Sequence, residues 1–102
     1  MILIYVTCKD LEESKKISKR LLEKKLVACA NFFPINSMYL WKGSINDDNE
    51  CALILKTVEK KFNQIEEEIK KIHSYECPCI ISIKIGKANK KYLEWIKKEM
   101  KG

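Results

Sequence analysis

His73 is the only histidine of this 102-residue chain, and it stands in the segment His73-Ser74-Tyr75-Glu76-Cys77-Pro78-Cys79. One imidazole and two thiols this close together are soft donors. They suit copper(I) or zinc better than magnesium or calcium, which want oxygen ligands. Cys77 and Cys79, at i and i+2, fall on one face of an extended segment, and Pro78 stiffens the loop between them. The spacing matches no common structural zinc pattern, because no second ligand pair follows. The plainer reading is a histidine at a helix C-terminus, where a cation is favoured, followed by two packed thiols. If one subunit holds a copper or other divalent metal ion, the sequence predicts His73, Cys77 and Cys79 as its ligands.

Two further groups could do chemistry. Cys29, beside Asn31, would be a nucleophile if His73 reached it as a base; a buried, inert cysteine is the commoner use of such a residue. Lys56-Thr57 joins a strand end to a helix start, where an anion can be held. The three glycines are scattered and form no phosphate-cradling loop. Tyr39, Trp41, Tyr75 and Trp95 could line a pocket, although core or interface packing is the more usual role.

Composition narrows the classes. The net charge is +6, carried by 19 lysines and a single arginine, Arg20. Arginine reads bases and grips phosphates bidentately, and the lysines are interleaved with glutamates, so a solvated surface is expected rather than a nucleic-acid face. No apolar run approaches the roughly 18 residues of a membrane span. The opening run Ile2-Leu3-Ile4-Tyr5-Val6 is too short for a secretory h-region. Five cysteines, an odd number, point to free thiols and a cytoplasmic protein. The length allows one domain, residues 1–102, with one core.

The elements that would position these residues follow from periodicity. Residues 2–7 read as a buried strand. Asp10 and Glu13 form a capping box that opens a helix over about 11–25. In a β-rich stretch from 26 to 45, Pro34 marks a bend, a bulge or an edge. Asn46-Asp47-Asp48-Asn49 reads as the turn of an antiparallel hairpin that returns over 50–57. Val58, Phe62, Ile65, Ile69 and Ile72 mark a second helix. Residues 79–85 form a last strand, and Asn89 caps a C-terminal helix. The order β-α-β-β-α-β is a ferredoxin-like α+β fold with an antiparallel sheet and an extra C-terminal helix. Right-handed crossovers put the two main helices on one sheet face. The strands are apolar at both parities, so the other face, with Met38, Tyr39 and Trp41 nearby, is left as an oligomer interface.

Several blocks resemble one family, the CutA divalent-ion-tolerance proteins. They are Tyr5-Val6-Thr7, Leu26-Val27-Ala28-Cys29-Ala30-Asn31, Ser37-x-Tyr39-x-Trp41-x-Gly43, Glu50 with Leu55-Lys56-Thr57, His73-x-Tyr75-x-x-Pro78 and Tyr92-Leu93-x-Trp95. The resemblance implies a ferredoxin-like homotrimer related to the PII signalling proteins, linked to copper tolerance and without enzymatic activity. It maps His73 and Cys29 onto a histidine and a cysteine of the family pattern. Val6 stands where copper-binding members have a cysteine, and Ile72 where they have a second histidine. Ser74 and Cys79 replace a proline and a glutamate, which leaves Cys77 and Cys79 as the thiols near His73. A competing function on the same fold is a PII-like sensor of a small anion in the intersubunit cleft, using Lys56, Tyr75, Trp95 and Cys29. A third is a cysteine enzyme built on Cys29.

Overall fold

The computed structural model describes residues 1–101. Its elements are β1 (Ile2–Cys8), α1 (Leu11–Glu23), β2 (Cys29–Trp41), β3 (Ser44–Thr57), a 3-10 turn (Glu59–Lys61), α2 (Phe62–Ile72), β4 (Ile80–Lys84) and α3 (Lys90–Glu99). The four strands make one sheet in the order β2-β3-β1-β4 with every neighbouring pair antiparallel. This is the expected ferredoxin-like α+β arrangement with its added helix.

Local chemistry explains the helix starts. The Asp10 carboxylate accepts the Glu13 N–H at 2.8 Å, and the Asn89 side chain accepts the Tyr92 N–H at 2.8 Å. Both satisfy a donor that the first helical turn leaves unpaired. Helix α1 then lays Ile17 and Leu21 on the sheet, and α2 adds Ile65 and Ile69. They meet Ile2, Ile4, Val6 and Cys8 of β1 with Cys51, Leu53 and Leu55 of β3, all essentially inaccessible. Each aliphatic side chain sealed in this layer contributes roughly 1.5–3 kcal/mol.

The hairpin turn is not where the sequence predicts it. Asn46-Asp47-Asp48-Asn49 lies inside β3, paired with Asn36 to Tyr39, and the chain reverses at Lys42-Gly43. Both residues have positive φ, 50° and 80°, the backbone of the tight two-residue turn whose twist matches the flanking strands. Gly43 adopts it freely and Lys42 follows. Pro34 does not bend β2; it stays in register opposite Cys51 on the outermost strand, where a missing N–H costs no ladder bond.

Two consequences matter for function. Strand β1 ends at Cys8, opposite Cys51, so residues 35 to 50 form a two-stranded arm paired only with itself. The arm exposes Met38, Leu40 and Ile45 at 73–76%. The second consequence concerns the sheet face away from α1 and α2. It carries Leu3, Tyr5 and Thr7 of β1, and Phe33, Ile81 and Ile83 remain exposed in the chain.

Candidate functional site

The segment that follows α2 divides the chemistry of the molecule in two. His73 turns toward the closed side. Its Nε2–H donates to the Thr7 carbonyl at 2.9 Å, and its Nδ1 accepts the Tyr75 N–H at 3.0 Å. A carbonyl can only accept and an amide N–H can only donate, so the network places the ring proton on Nε2. Glu13 lies beside it. One carboxylate oxygen accepts the Lys9 N–H and the other accepts the Ser74 N–H, each at 2.9 Å. The capping glutamate of α1 thus also holds the loop after α2. Burial pushes the Glu13 carboxyl up, but these bonds outweigh it and hold it below the ordinary value of 4.5.

The donor atoms of Cys8, Glu13 and His73 lie within 4.8 Å of one another, the one such trio of His, Cys, Asp or Glu among the described residues. Its chemistry is that of a hydrogen-bonded knot. Both imidazole nitrogens are already engaged by main chain. Burial, with the Glu13 charge adding to it and a hydrogen bond with Ser14 opposing it, pushes the Cys8 thiol up to about 11. A metal needs a thiolate and a free ring nitrogen. Among the described residues no buried side-chain nitrogen or oxygen lacks a partner.

Tyr75, only two residues on, packs its ring 4.8 Å from that of His73 but carries its hydroxyl to an open cleft. There the start of the arm, the end of β1 and the loop before β4 enclose a cleft of about 570 Å³. Cys77, exposed, and Cys79, half-buried, both line it. The two thiols thus line the same cleft. The expectation that His73 joins them is not met: His73, Cys77 and Cys79 are not gathered within 4.8 Å of one another, because the main chain of Thr7 and Tyr75 holds the imidazole. Burial raises the Cys79 thiol above its ordinary value, the Glu50 and Cys77 charges add to this, and a hydrogen bond with Thr7 opposes it.

Glu50 is a residue that sequence reasoning left without a role. It accepts the Tyr75 hydroxyl at 2.5 Å in the wall of the cleft. Burial first, then this bond and the carboxylate charge, push the Tyr75 phenol well above its ordinary range. Tyr39 and Trp41 also line the cleft, and the Tyr39 hydroxyl donates to Asp48. In the sequence Glu50 opens a strand and belongs to a block shared with the family, but no role attaches to it there, because its partner lies 25 positions away.

The ligand set Lys56, Tyr75, Trp95 and Cys29 does not assemble within one chain. Cys29 is in register with Lys56, whose ammonium lies 5.5 Å from the Tyr92 ring centre, and Tyr92 packs on Trp95 at 5.5 Å. Tyr75 is bonded to Glu50, six positions back along β3 from Lys56, or about 20 Å of strand. Cys29 is likewise far from His73. It aligns through Lys56 with Leu3, whereas His73 bonds Thr7, about 13 Å further along β1. A Cys29–His73 catalytic pair is therefore not formed.

The whole chain is similar to proteins already described. The sequence model of the family "CutA1 divalent ion tolerance protein" matches residues 2–99. A divalent-cation tolerance protein CutA of Archaeoglobus fulgidus is 50% identical over 93 residues, 91% of either chain. One from Thermotoga maritima is 42% identical over 100 residues, covering 98% of this chain and 99% of that protein. Among solved structures, the periplasmic divalent cation tolerance protein CutA of A. fulgidus superposes with a TM-score of 0.96 at 46% identity, covering 99% of this chain and all of that one. CutA1 of Pyrococcus horikoshii gives 0.94 at 39% identity over both full chains.

Proposed function

The chain belongs to the CutA1 divalent ion tolerance family, and from that premise we propose that it is a homotrimeric cytoplasmic protein that confers tolerance by holding copper as copper(I) between Cys77 and Cys79. The observation that carries this reading is the pair of thiols lining one solvent-open cleft. Among the described residues, Cys77 and Cys79 belong to no trio of His, Cys, Asp or Glu donors that all lie within 4.8 Å of one another. Zinc in a structural site asks for four ligands. Copper(I) is selected by thiolates and accepts two. The role is binding, not catalysis. The alternative of a small-anion sensor in an intersubunit cleft is not favoured, since the relatives of this chain are named for divalent-cation tolerance.

The trimer is supported by what one chain leaves uncovered. A lone two-stranded ribbon is marginal in water, and this one carries exposed Met38, Leu40 and Ile45 next to an apolar sheet face. Light scattering should give about 36 kDa, three copies of a 12.0 kDa chain. A 12 kDa particle at micromolar concentration would exclude the assembly. The cytoplasm is supported by five cysteines outside any disulfide, which a reducing pool would keep available for metal.

A copper(I) competition titration tests the site. Wild type and His73→Ala should bind alike, and Cys77→Ser/Cys79→Ser should lose affinity by at least about tenfold, or roughly 1.4 kcal/mol. Equal binding by all three would place copper elsewhere.

A further inference from the structure

We infer that the aromatic side of the cleft, where Tyr39, Trp41 and Tyr75 stand with the Glu50 carboxylate, is a binding site for an organic ammonium ion. This goes beyond the metal reading, uses different residues, and requires that the trimer proposed above leave the Tyr39–Trp41 wall of the cleft open to solvent.

The first argument is charge. The chain carries 20 lysines and arginines and a net charge of +6. None of those cations is among the described residues lining the cleft, whereas Glu50 and Glu76 are. A basic protein that keeps a cleft of this size free of basic side chains and supplies it with carboxylates, while a second cleft of about 440 Å³ carries Lys9 and Lys16, has made the first one fit to admit a cation.

The second argument is what the carboxylates do to the rings. The Tyr75 hydroxyl donates to Glu50, and the Tyr39 hydroxyl donates to Asp48. A phenol that donates to a carboxylate holds more electron density in its ring, which strengthens the attraction of the ring face for a cation. The Glu50 oxygen spent on Tyr75 is correspondingly less free to coordinate a hard metal ion. The third ring already shows the preference within the chain itself: the Lys42 ammonium lies 5.9 Å from the Trp41 ring centre. Lys42 sits at the turn of the arm, so it acts as an internal competitor for one face of Trp41.

The cavity, about 570 Å³, accommodates a small organic molecule. Aromatic faces with a carboxylate recognise a large, weakly hydrated cation such as an alkylated ammonium, whose charge is spread over methylene and methyl groups. A small anion would meet Glu50 and Glu76 without a compensating cation.

The test uses the full chain carrying Trp95→Phe, so that Trp41 alone reports by fluorescence, and the probe is choline. The control is 3,3-dimethyl-1-butanol, its uncharged isostere. Choline should saturate the signal, and the isostere should bind at least about tenfold more weakly. Glu50→Gln should cost choline a similar factor, while Lys42→Ala should strengthen it by about two- to threefold. Tyr39→Phe, which keeps the ring and loses the link to Asp48, gives a second reading if Glu50→Gln fails to fold, and should weaken choline measurably. Choline binding should persist in Cys77→Ser/Cys79→Ser, which separates this site from the metal reading. Equal binding of choline and its isostere would show an apolar pocket only and overturn the inference. So would the absence of saturation up to about 50 mM, well above the millimolar range in which weak small-ligand sites operate, the result expected if another copy of the chain fills the cleft.

Discussion

His73 and Tyr75 are two residues apart and their rings pack 4.8 Å apart, yet their polar atoms look opposite ways, His73 into a closed network of peptide groups and Tyr75 into an open cleft. On the closed side, every polar group has a main-chain or side-chain partner. His73 uses both ring nitrogens on peptide groups, and Glu13 uses both oxygens on peptide N–H groups. On the open side, thiols, phenols and a carboxylate converge on solvent. Residue types that promise reactivity are present on both sides. What separates a structural knot from a usable site is whether the donors still have capacity to spend. The lone histidine, the most conspicuous chemical residue in the sequence, has none.

Thiol labelling should show the contrast most sharply. Cys77 is exposed and Cys8 is buried with its thiol held up to about 11, so an alkylating reagent near pH 8 should modify Cys77 more than about a thousandfold faster than Cys8. Mass spectrometry of time points gives the ratio. Comparable rates would mean that the closed side opens readily and that the two sides are not distinct. The next effect is on stability. Glu13→Ala removes the acceptors of two peptide N–H groups in a buried setting and should cost about 2–4 kcal/mol in urea unfolding. On the open side, Tyr75→Phe loses one hydrogen bond at a wall that water can reach, and about 1 kcal/mol is expected. If Tyr75→Phe cost as much as Glu13→Ala, the open side would be as structurally committed as the closed one.

The smallest effect concerns pH and salt. Glu13 has a folded carboxyl below its ordinary 4.5. It therefore adds stability that is fully present above that value and is lost as pH falls through the folded one. Glu68 follows the same sign. Hydrogen bonds from Lys24, Arg20 and Lys71 hold it near 2, so its contribution fades between about 4.5 and 2. The partners of Glu68 are exposed side chains, 42–61% accessible, whereas Glu13 bonds peptide groups. Raising the ionic strength should shrink the acid sensitivity removed by Glu68→Gln and leave that removed by Glu13→Gln unchanged. Unfolding curves at two salt concentrations and two pH values measure this.

Much of the fold could be read from local pattern. The capping residues Asp10 and Asn89, the α2 stripe of Ile65 and Ile69, and β1 with two apolar parities are each signals carried within a few residues, and each has its expected place. The hairpin turn was misplaced because its cause is a backbone conformation. Lys42 adopts positive φ beside Gly43, and no residue type at 42 announces that. Four Asn and Asp residues drew the turn to 46–49, where they are the solvated side chains of an exposed arm. The site was legible in part. That Cys77 and Cys79 line one cleft is in keeping with their i, i+2 spacing. The fate of His73 could not be read, since the carbonyl it bonds lies 66 positions away and every residue has a carbonyl. The same applies to Glu50, whose significance lies in the hydroxyl it meets.

The arm also bears on how the chain comes to fold. Its innermost pair, Trp41 with Ser44, is closed by a two-residue loop, whereas Ile2 must find Thr57 across the whole hairpin and α1. Short loops close in microseconds or less, and their entropic cost is small. Native order should therefore begin at Lys42-Gly43 and zip inward along β2 and β3, with β1 and β4 docking afterwards onto an edge already formed. The segment that extends furthest from the core is then the first to form, and substitutions at Gly43 should slow folding while those in β4 chiefly speed unfolding.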